Sequence, residues 1–358
     1  MTCSEMLAEL QNISLPQGKQ TPICLMEICG THTMAIAKAG LRQLLPESVK
    51  LISGPGCPVC VTPAGAMDEV LRIAKLPDVM IACYGDLIRI PGSVRGDTLA
   101  ARKAQGANVR VVYSAMDALE LAKQEPDKQV VFLGVGFETT APGTAVCILE
   151  AKERGLKNFS VLSMLKYTEP AVRHILEDGE CRLDGLICPG HVATIVGAES
   201  FRFLPQEYSL PGVVAGFETE DVVKAVYRLC RMIAEGRADL ENGYLRGVRA
   251  EGNPTAKRMM EQVFERETSV WRGLGEIPRS GMKIRAEFAE FDASKRFSFA
   301  PENKEQSLGC RCGEILKGLM PPEECPLFGK VCTPADPVGP CMVSGEGACA
   351  AAYKYRSI

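Results

Sequence analysis

Six cysteines crowd into forty residues near the carboxyl end of this 358-residue chain: Cys310, Cys312, Cys325, Cys332, Cys341 and Cys349, with Pro and Gly between them. Thiolates are the usual protein ligands of iron–sulfur clusters and of zinc. A turn-rich segment lets four sulfurs converge without the geometric limits of a helix or strand. Structural zinc favours paired knuckles with short C-x-x-C spacing, whereas this tail holds only Cys310-Arg-Cys312 and longer gaps. A disulfide framework belongs to oxidising compartments. The tail therefore reads as an iron–sulfur site, with six candidates for four ligand positions.

A second group of cysteines lies nearer the amino end. Gly54-Pro-Gly-Cys57-Pro-Val-Cys60 follows the apolar run VKLIS and precedes a helical pattern. A C-x-x-C ahead of a helix start favours the thiolate, through backbone N–H groups and the helix dipole. Such a pair cycles between dithiol and disulfide or binds metal. No second C-x-x-C exists to complete a zinc site, so redox or transient metal chemistry is expected at Cys57 and Cys60. Cys29-Gly-Thr-His32 follows another run, PICLMEI. Cys29, Cys57 and Cys60 thus share the carboxyl edge of a predicted sheet, where open α/β folds bind ligands. Cys29 with His32 can hold a metal, or His32 can position the thiol. His191, in Cys188-Pro-Gly-His191, follows a further strand and is expected to face the same crevice. His174 reads as a surface residue. Tyr84-Gly85-Asp86 and Arg89 suit either an anion or partner contact or a structural turn. Cys3, Cys24, Cys83, Cys147, Cys181 and Cys230 stand isolated and read as small buried hydrophobes.

Other chemistries lack support. Gly134-Val-Gly136-Phe-Glu-Thr139 matches only the first half of a dinucleotide fingerprint, since Thr139 stands where the third glycine belongs. Thr139 or Thr140 is read instead as a helix cap before Pro142. No Walker A sequence and no G-x-S-x-G elbow occurs. Lys and Arg total 41 against 44 Asp and Glu, and aromatic residues make up 6%. That balance argues against nucleic-acid binding. No run is long and apolar enough for a membrane span. The start, MTCSEMLAELQ, lacks the basic and apolar regions of a signal peptide, so a cytoplasmic protein is expected.

These residues need a frame. PICLMEI, VKLIS, DVMIACY, NVRVVYS, QVVFLGV, FSVLSML, LDGLICP and PGVVAGF alternate with helical patterns. Nearly continuous β-branched runs suit parallel strands covered on both faces. One helix is read at 66–75, with Met67, Val70, Leu71 and Ala74 inward and Thr62-Pro63 as cap and first turn. The class is α/β, as two similar Rossmann-like parallel-sheet domains at 20–125 and 126–240, divided at the polar stretch KQEPDKQ. Gly136-Phe-Glu-Thr139 is echoed by Gly216-Phe-Glu-Thr219, a hint of a repeated unit. Residues 241–358, with or without 1–19, are read as a third, irregular iron–sulfur domain.

Taken together, the motifs resemble the HypD family of nickel–iron hydrogenase maturation proteins. The matching stretches are Glu27-Ile-Cys-Gly-Thr-His32, Gly54-Pro-Gly-Cys-Pro-Val-Cys60, Tyr84-Gly-Asp86, Gly136-Phe-Glu-Thr-Thr140 and Cys188-Pro-Gly-His191. Further on come Asn242-Gly-Tyr244, Glu251-Gly-Asn253, Trp271-Arg-Gly273, Cys310-Arg-Cys-Gly313 and Pro340-Cys-Met-Val-Ser-Gly-Glu-Gly-Ala-Cys349. The resemblance runs from near residue 20 to the end. It implies a scaffold that builds an iron fragment carrying two cyanides and one carbon monoxide, Fe(CN)2CO. The implied partners are a HypC-like chaperone and a HypE-like cyanide donor. By the same resemblance Cys29 holds the iron, shared with a cysteine of the HypC-like partner, beside His32. Cys57 and Cys60 are the neighbouring redox pair. Cys312, Cys325, Cys332 and Cys349 hold a [4Fe-4S] cluster, leaving Cys310 and Cys341 as a thiol pair.

The expected function is thus a maturation scaffold with a redox role, rather than a classical metabolic enzyme. The cluster would relay electrons to the C-x-x-C. A cluster-dependent thiol–disulfide oxidoreductase is the rival, but simple exchange needs neither Cys29 nor the histidines. A simple electron carrier would leave the long α/β portion without a purpose.

Overall fold

All eight apolar runs form strands. In this computed structural model, which describes residues 1–13, 21–302 and 309–355, they are β1 (Ile23–Glu27), β2 (Val49–Ser53), β3 (Val79–Cys83), β4 (Asn108–Val111), β5 (Gln129–Gly136), β6 (Phe159–Leu165), β7 (Gly185–Pro189) and β8 (Gly212–Ala215). A short β9 (Leu240–Asn242) follows, then β10 (Phe264–Trp271) and β11 (Gly275–Ile284). Helices between the strands bury their apolar faces. The helix Ala64–Ile73 turns Met67, Val70 and Leu71 inward, each almost fully buried. Its cap position is Pro63 rather than Thr62, whose hydroxyl donates back to the Pro58 carbonyl.

The strands form two all-parallel sheets of Rossmann-like α/β type. One is ordered β2-β1-β7-β8-β9 and the other β4-β3-β5-β6. The sheets do not sort along the expected sequence halves. Residues 125/126 fall between β4 and β5, both of which belong to the four-stranded sheet. The polar stretch there is an ordinary turn: the helix Ala115–Gln124 ends and the chain re-enters the sheet beside β3, Val79 opposite Gln129. The five-stranded sheet instead joins β1 and β2 to strands more than 130 residues later, through the β1–β7 ladder Leu25–Gly185 to Glu27–Ile187. The expected boundary at 240/241 falls inside β9, and that at 19/20 lies outside the described residues.

The stretch after residue 243 is less irregular than expected. β10 and β11 form a long antiparallel hairpin with a register shift between Glu267 and Ser269. It packs on β6, where the Ser163 hydroxyl donates to the Met282 carbonyl and the Tyr167 N–H to that of Ser280. Arg266, Glu267 and Thr268 on β10 and Glu276, Arg279 and Lys283 on β11 are exposed, so the hairpin lacks the apolar runs of the buried strands. The cysteine tail beyond it is built from turns and short helices.

The strand order explains where ligands can bind. In each sheet the chain reverses its direction of winding once, between β1 and β7 in one and between β3 and β5 in the other. Such switch points leave a crevice at the carboxyl ends of the strands. Both crevices open into the same space.

Candidate functional site

That shared space is a cleft of about 340 Å³. Its walls are the ends of the switch-point strands and the segments leaving them: Ile28, Cys29 and Thr31 after β1, Pro189 at the end of β7 with His191 beyond it, Tyr84, Gly85 and Asp86 after β3, and Gly136 at the end of β5 with Phe137, Thr139 and Thr140 beyond it. Gly56, Pro58 and Val59 of the C-x-x-C turn add one side, and Glu346 adds another. His174, on the helix Thr168–Asp178, does not line it.

Cys29 stands at the cap position of the helix Gly30–Lys38, so His32 lies in that helix's first turn. The backbone is held by Glu27, whose carboxylate accepts the Cys29 N–H at 3.0 Å and the Thr33 hydroxyl. Burial pushes the Glu27 carboxyl up to about 7 against the hydrogen bonds of Ser53, Thr33 and Cys29. Burial likewise pushes the Cys29 thiol up to about 12, opposed by the N–H groups of His32 and Thr31. Cys29 is therefore held as a neutral thiol, and a bound cation is what would ionise it. Burial pulls His32 down to about 4. As a neutral ring its Nε2 donates to the Gly216 carbonyl at 2.9 Å, and its Nδ1 has no partner among the described residues.

Phe217 connects the two histidines. Its ring stacks on His32 at 4.7 Å and on His191 at 3.8 Å. The echoed Phe137 supports the other wall, stacking on Trp271 at 5.8 Å. The two echoed motifs thus follow strands of different sheets, and each supplies an aromatic support. The Thr140 hydroxyl bonds back to the Phe137 carbonyl and does not cap the helix Ala141–Glu153, although Thr140 occupies the cap position.

Cys57 and Cys60 are joined in a disulfide. They sit in their own turn, with the Cys60 N–H donating to the Cys57 carbonyl, and the next helix begins only at Ala64. Both sulfurs face inward, 3% and 0% exposed. Gly56 presses the turn onto the backbone of Ile28 and Cys29, an approach that any side chain would block. On the far side the Arg272 N–H donates to the Val61 carbonyl at 2.8 Å. The Arg272 charge also acts on Cys310 and Cys312. Residues 271–273 therefore bridge the C-x-x-C turn and the cysteine tail, with Gly273 against Gly313.

The tail reaches the cleft itself. Glu346 accepts the Thr31 hydroxyl at 2.8 Å, and Gly30 lies against it. Ser344 donates to Asp86 at 2.9 Å, and Arg89 to the Val343 carbonyl at 3.4 Å. Asp86 and Arg89 thus hold the protein's own carboxyl-terminal segment. Sequence reasoning gave Glu346 no role; its only signal was membership of the quoted motif ending in Cys349. Glu27 had a clearer one, an acid closing an apolar run.

Cys310, Cys312, Cys325, Cys332 and Cys349 line one pocket with Ile315, Leu327, Phe328 and Met342. Cys341, fully buried, is not part of that lining. The Cys310 and Cys312 sulfurs are 2.9 Å apart, and the Cys312 sulfur also meets that of Cys341. The donor set suits an iron–sulfur cluster: soft thiols, an apolar wall, and the Val338 N–H aimed at the Cys332 sulfur at 3.3 Å. Gly339 makes room, since a Cβ there would lie 2.7 Å from the Cys312 sulfur. Burial pushes the Cys332 and Cys349 thiols up, so a bound cation is what would ionise them. The free space between the sulfurs is only about 10 Å³, and among the described residues no three His, Cys, Asp or Glu are arranged to hold a metal ion. The sulfurs must spread to take a cluster. Among the described residues no helix is long and apolar enough to cross a membrane.

Known proteins are similar to this chain over nearly its whole length. The HypD family model, described as the hydrogenase formation hypA family, matches residues 2–356. The chain is 48% identical over 341 residues to the hydrogenase maturation factor HypD of Cupriavidus necator, covering 92% of this chain and 89% of that protein. It is 49% identical over 337 residues to the hydrogenase expression/formation protein HupD of Azotobacter chroococcum, with 92% and 89% covered. A HypD from Rhizobium leguminosarum is 47% identical over 337 residues, with 92% and 87% covered. The chain belongs to the HypD family of hydrogenase maturation factors.

Proposed function

We propose that this chain is a cytoplasmic scaffold for nickel–iron hydrogenase maturation, and that its cleft holds the Fe(CN)2CO fragment while it is built. A HypC-like chaperone would share the iron, and a HypE-like partner would deliver cyanide. The observation that carries this reading is the convergence of two sheet switch points on Cys29, with the C-x-x-C turn pressed against its backbone. Low-spin iron with cyanide and carbonyl is cargo that prefers soft ligands, and Cys29 supplies a thiol at the cleft wall. As iron binds, the Cys29 sulfur gives up its proton. Glu346 lines the same cleft, and burial and then Asp86 hold its carboxyl above the usual range, which suits it to accept that proton. Glu27 keeps the Cys29 turn in place. His32, neutral and stacked on Phe217, closes the inner wall without adding charge.

In this reading Cys312, Cys325, Cys332 and Cys349 would hold a [4Fe-4S] cluster, which supplies single electrons when bound. Opening the Cys57–Cys60 bond takes two electrons and two protons and yields two thiols beside the iron. The buried sulfurs favour a scaffold over a free-standing oxidoreductase, because a protein disulfide cannot reach them. Anaerobic copurification with a HypC-like partner, followed by infrared spectroscopy, tests the assignment. Cyanide and carbonyl stretches are expected in the complex, and their absence from a complex loaded with iron would sink it.

A further inference from the structure

Two cysteines that stand isolated in the sequence are neighbours in the fold. Cys24 is the second residue of β1, and Cys181 lies in the connection 179–184 between the helix Thr168–Asp178 and β7. That connection carries the chain from the four-stranded sheet to the five-stranded one. It is fastened on both sides. Lys317 donates to Asp178 at 2.7 Å and to Glu180 at 2.6 Å. Asp184 donates its N–H to the Cys24 carbonyl at 2.9 Å, and its carboxylate accepts the Cys24 N–H at 2.7 Å. These bonds bring the two thiol side chains into hydrogen-bonding contact. Lys50 is the register partner of Cys24 on β2, and both cysteines are half-buried rather than sealed in the core.

We propose that Cys24 and Cys181 are a second thiol–disulfide pair, closed by exchange with a small-molecule disulfide, that staples the sheet-crossing connection to β1. The two sulfurs have distinct roles. The contact with Cys24, with the Lys50 charge, holds Cys181 below the usual thiol range, while Cys24 is pushed up. Cys181 is thus the attacking thiolate. It displaces one thiolate from a disulfide such as oxidised glutathione, giving a mixed disulfide. Cys24 then attacks the Cys181 sulfur and releases the second thiolate. Two protein thiols are oxidised, one small disulfide becomes two thiols, and those thiols take up the two protons. The new bond would close a loop that contains β2 to β6 entire.

The full-length protein is incubated with oxidised glutathione, alkylated in its native state and digested with trypsin. The expected product links the peptide 20–38 to the peptide 174–182, and dithiothreitol separates them. Peptide 20–38 also contains Cys29, so fragment ions between residues 24 and 29 must place the bond at Cys24. In Cys24→Ser the crosslink disappears and Cys181 carries glutathione instead. The proposal is overturned if the folded wild-type protein yields Cys24 and Cys181 unlinked, or if the bond from Cys181 runs to Cys29. Cooperative unfolding of both proteins, measured alongside, ensures that an unlinked result is not one of misfolding.

Discussion

The two thiol regions of this molecule are positioned by different means. Around the cleft, Cys29 and the C-x-x-C turn follow strands whose ladders fix them residue by residue. In the tail, five sulfurs gather round a pocket with no ladder, on turns and helices of a few residues. A laddered site keeps its geometry when empty. A site held by turns depends on what fills it, as small metal domains do. Removing a ligand should therefore act locally in the cleft and broadly in the tail.

The sharpest test compares one cysteine from each region. Cys325→Ala is expected to abolish the cluster's visible absorbance in anaerobically purified protein and to loosen the tail, read as faster proteolysis beyond residue 309. Cys29→Ala should keep both the absorbance and the fold while losing the cyanide and carbonyl infrared bands of the partner complex. Absorbance surviving in Cys325→Ala would place Cys310 among the ligands in its stead.

A smaller effect is expected at the joint between the regions. Lys166 is buried, donates to Ser269 at 2.6 Å and to the Val270 carbonyl at 2.8 Å, and lies 5.2 Å from the Trp271 ring. Burial pulls its pKa down from 10.5 to about 7. The folded state therefore releases this proton before the unfolded state does. The Lys166 contribution to stability grows as pH rises from about 7 and is lost as pH falls through that window. At about 1.4 kcal/mol per pH unit, the stability of wild type relative to Lys166→Met should rise by about 3 kcal/mol between about pH 7.5 and pH 10. Thiols and tyrosines that titrate in the same range are common to both proteins and cancel. Urea unfolding at the two pH values measures it, and an unchanged difference would mean that Lys166 is charged in the fold.

Glycines give a third contrast. A Cβ at Gly56 would strike the backbone of Ile28 and Cys29, so Gly56→Ala should cost about 2 kcal/mol through forced displacement of the Cys29 turn. Gly345, in the tail, has nothing within 4 Å of such a Cβ. Gly345→Ala should stay within about 0.5 kcal/mol of wild type in the same urea experiment. Equal effects at the two positions would remove the distinction between a laddered and a turn-held region.

The same contrast decides what could be read from the sequence. Strands such as QVVFLGV and DVMIACY declare themselves because both faces are covered and the runs are almost purely apolar. The β10–β11 hairpin does not, because charged Glu265, Arg266 and Glu267 interrupt it. Cys29, Cys57 and Cys60 could be placed at a sheet edge from their position after such runs. Which edges meet could not, since the β1–β7 pairing joins residues about 160 apart. Glu346 reaches Thr31 across 315 residues and Cys24 reaches Cys181 across 157, by tertiary packing that no local pattern announces. The cysteine count pointed to a cluster, but spacing cannot show that Cys341 lies outside the pocket while Cys310 lines it.

Trp271, the only tryptophan, carries a smaller effect than Lys166 or Gly56 and links the two regions. Its ring is 1% exposed, stacks on Phe137 of the cleft wall, and precedes Arg272, which reaches the C-x-x-C turn. The indole N–H donates to the Ser280 hydroxyl at 2.8 Å, and that hydroxyl in turn donates to the Ile277 carbonyl at 2.8 Å. Trp271→Phe keeps an aromatic ring against Phe137 and leaves Ser280 its second bond. The loss is then one neutral hydrogen bond and part of a ring, about 1 kcal/mol in urea unfolding. Val331→Ala, at a tail residue 46% exposed, should be nearly silent beside it. A Trp271→Phe cost several times larger would mean that the indole holds the hairpin, the cleft wall and the cysteine tail in register together, and that the tail borrows its order from the laddered half.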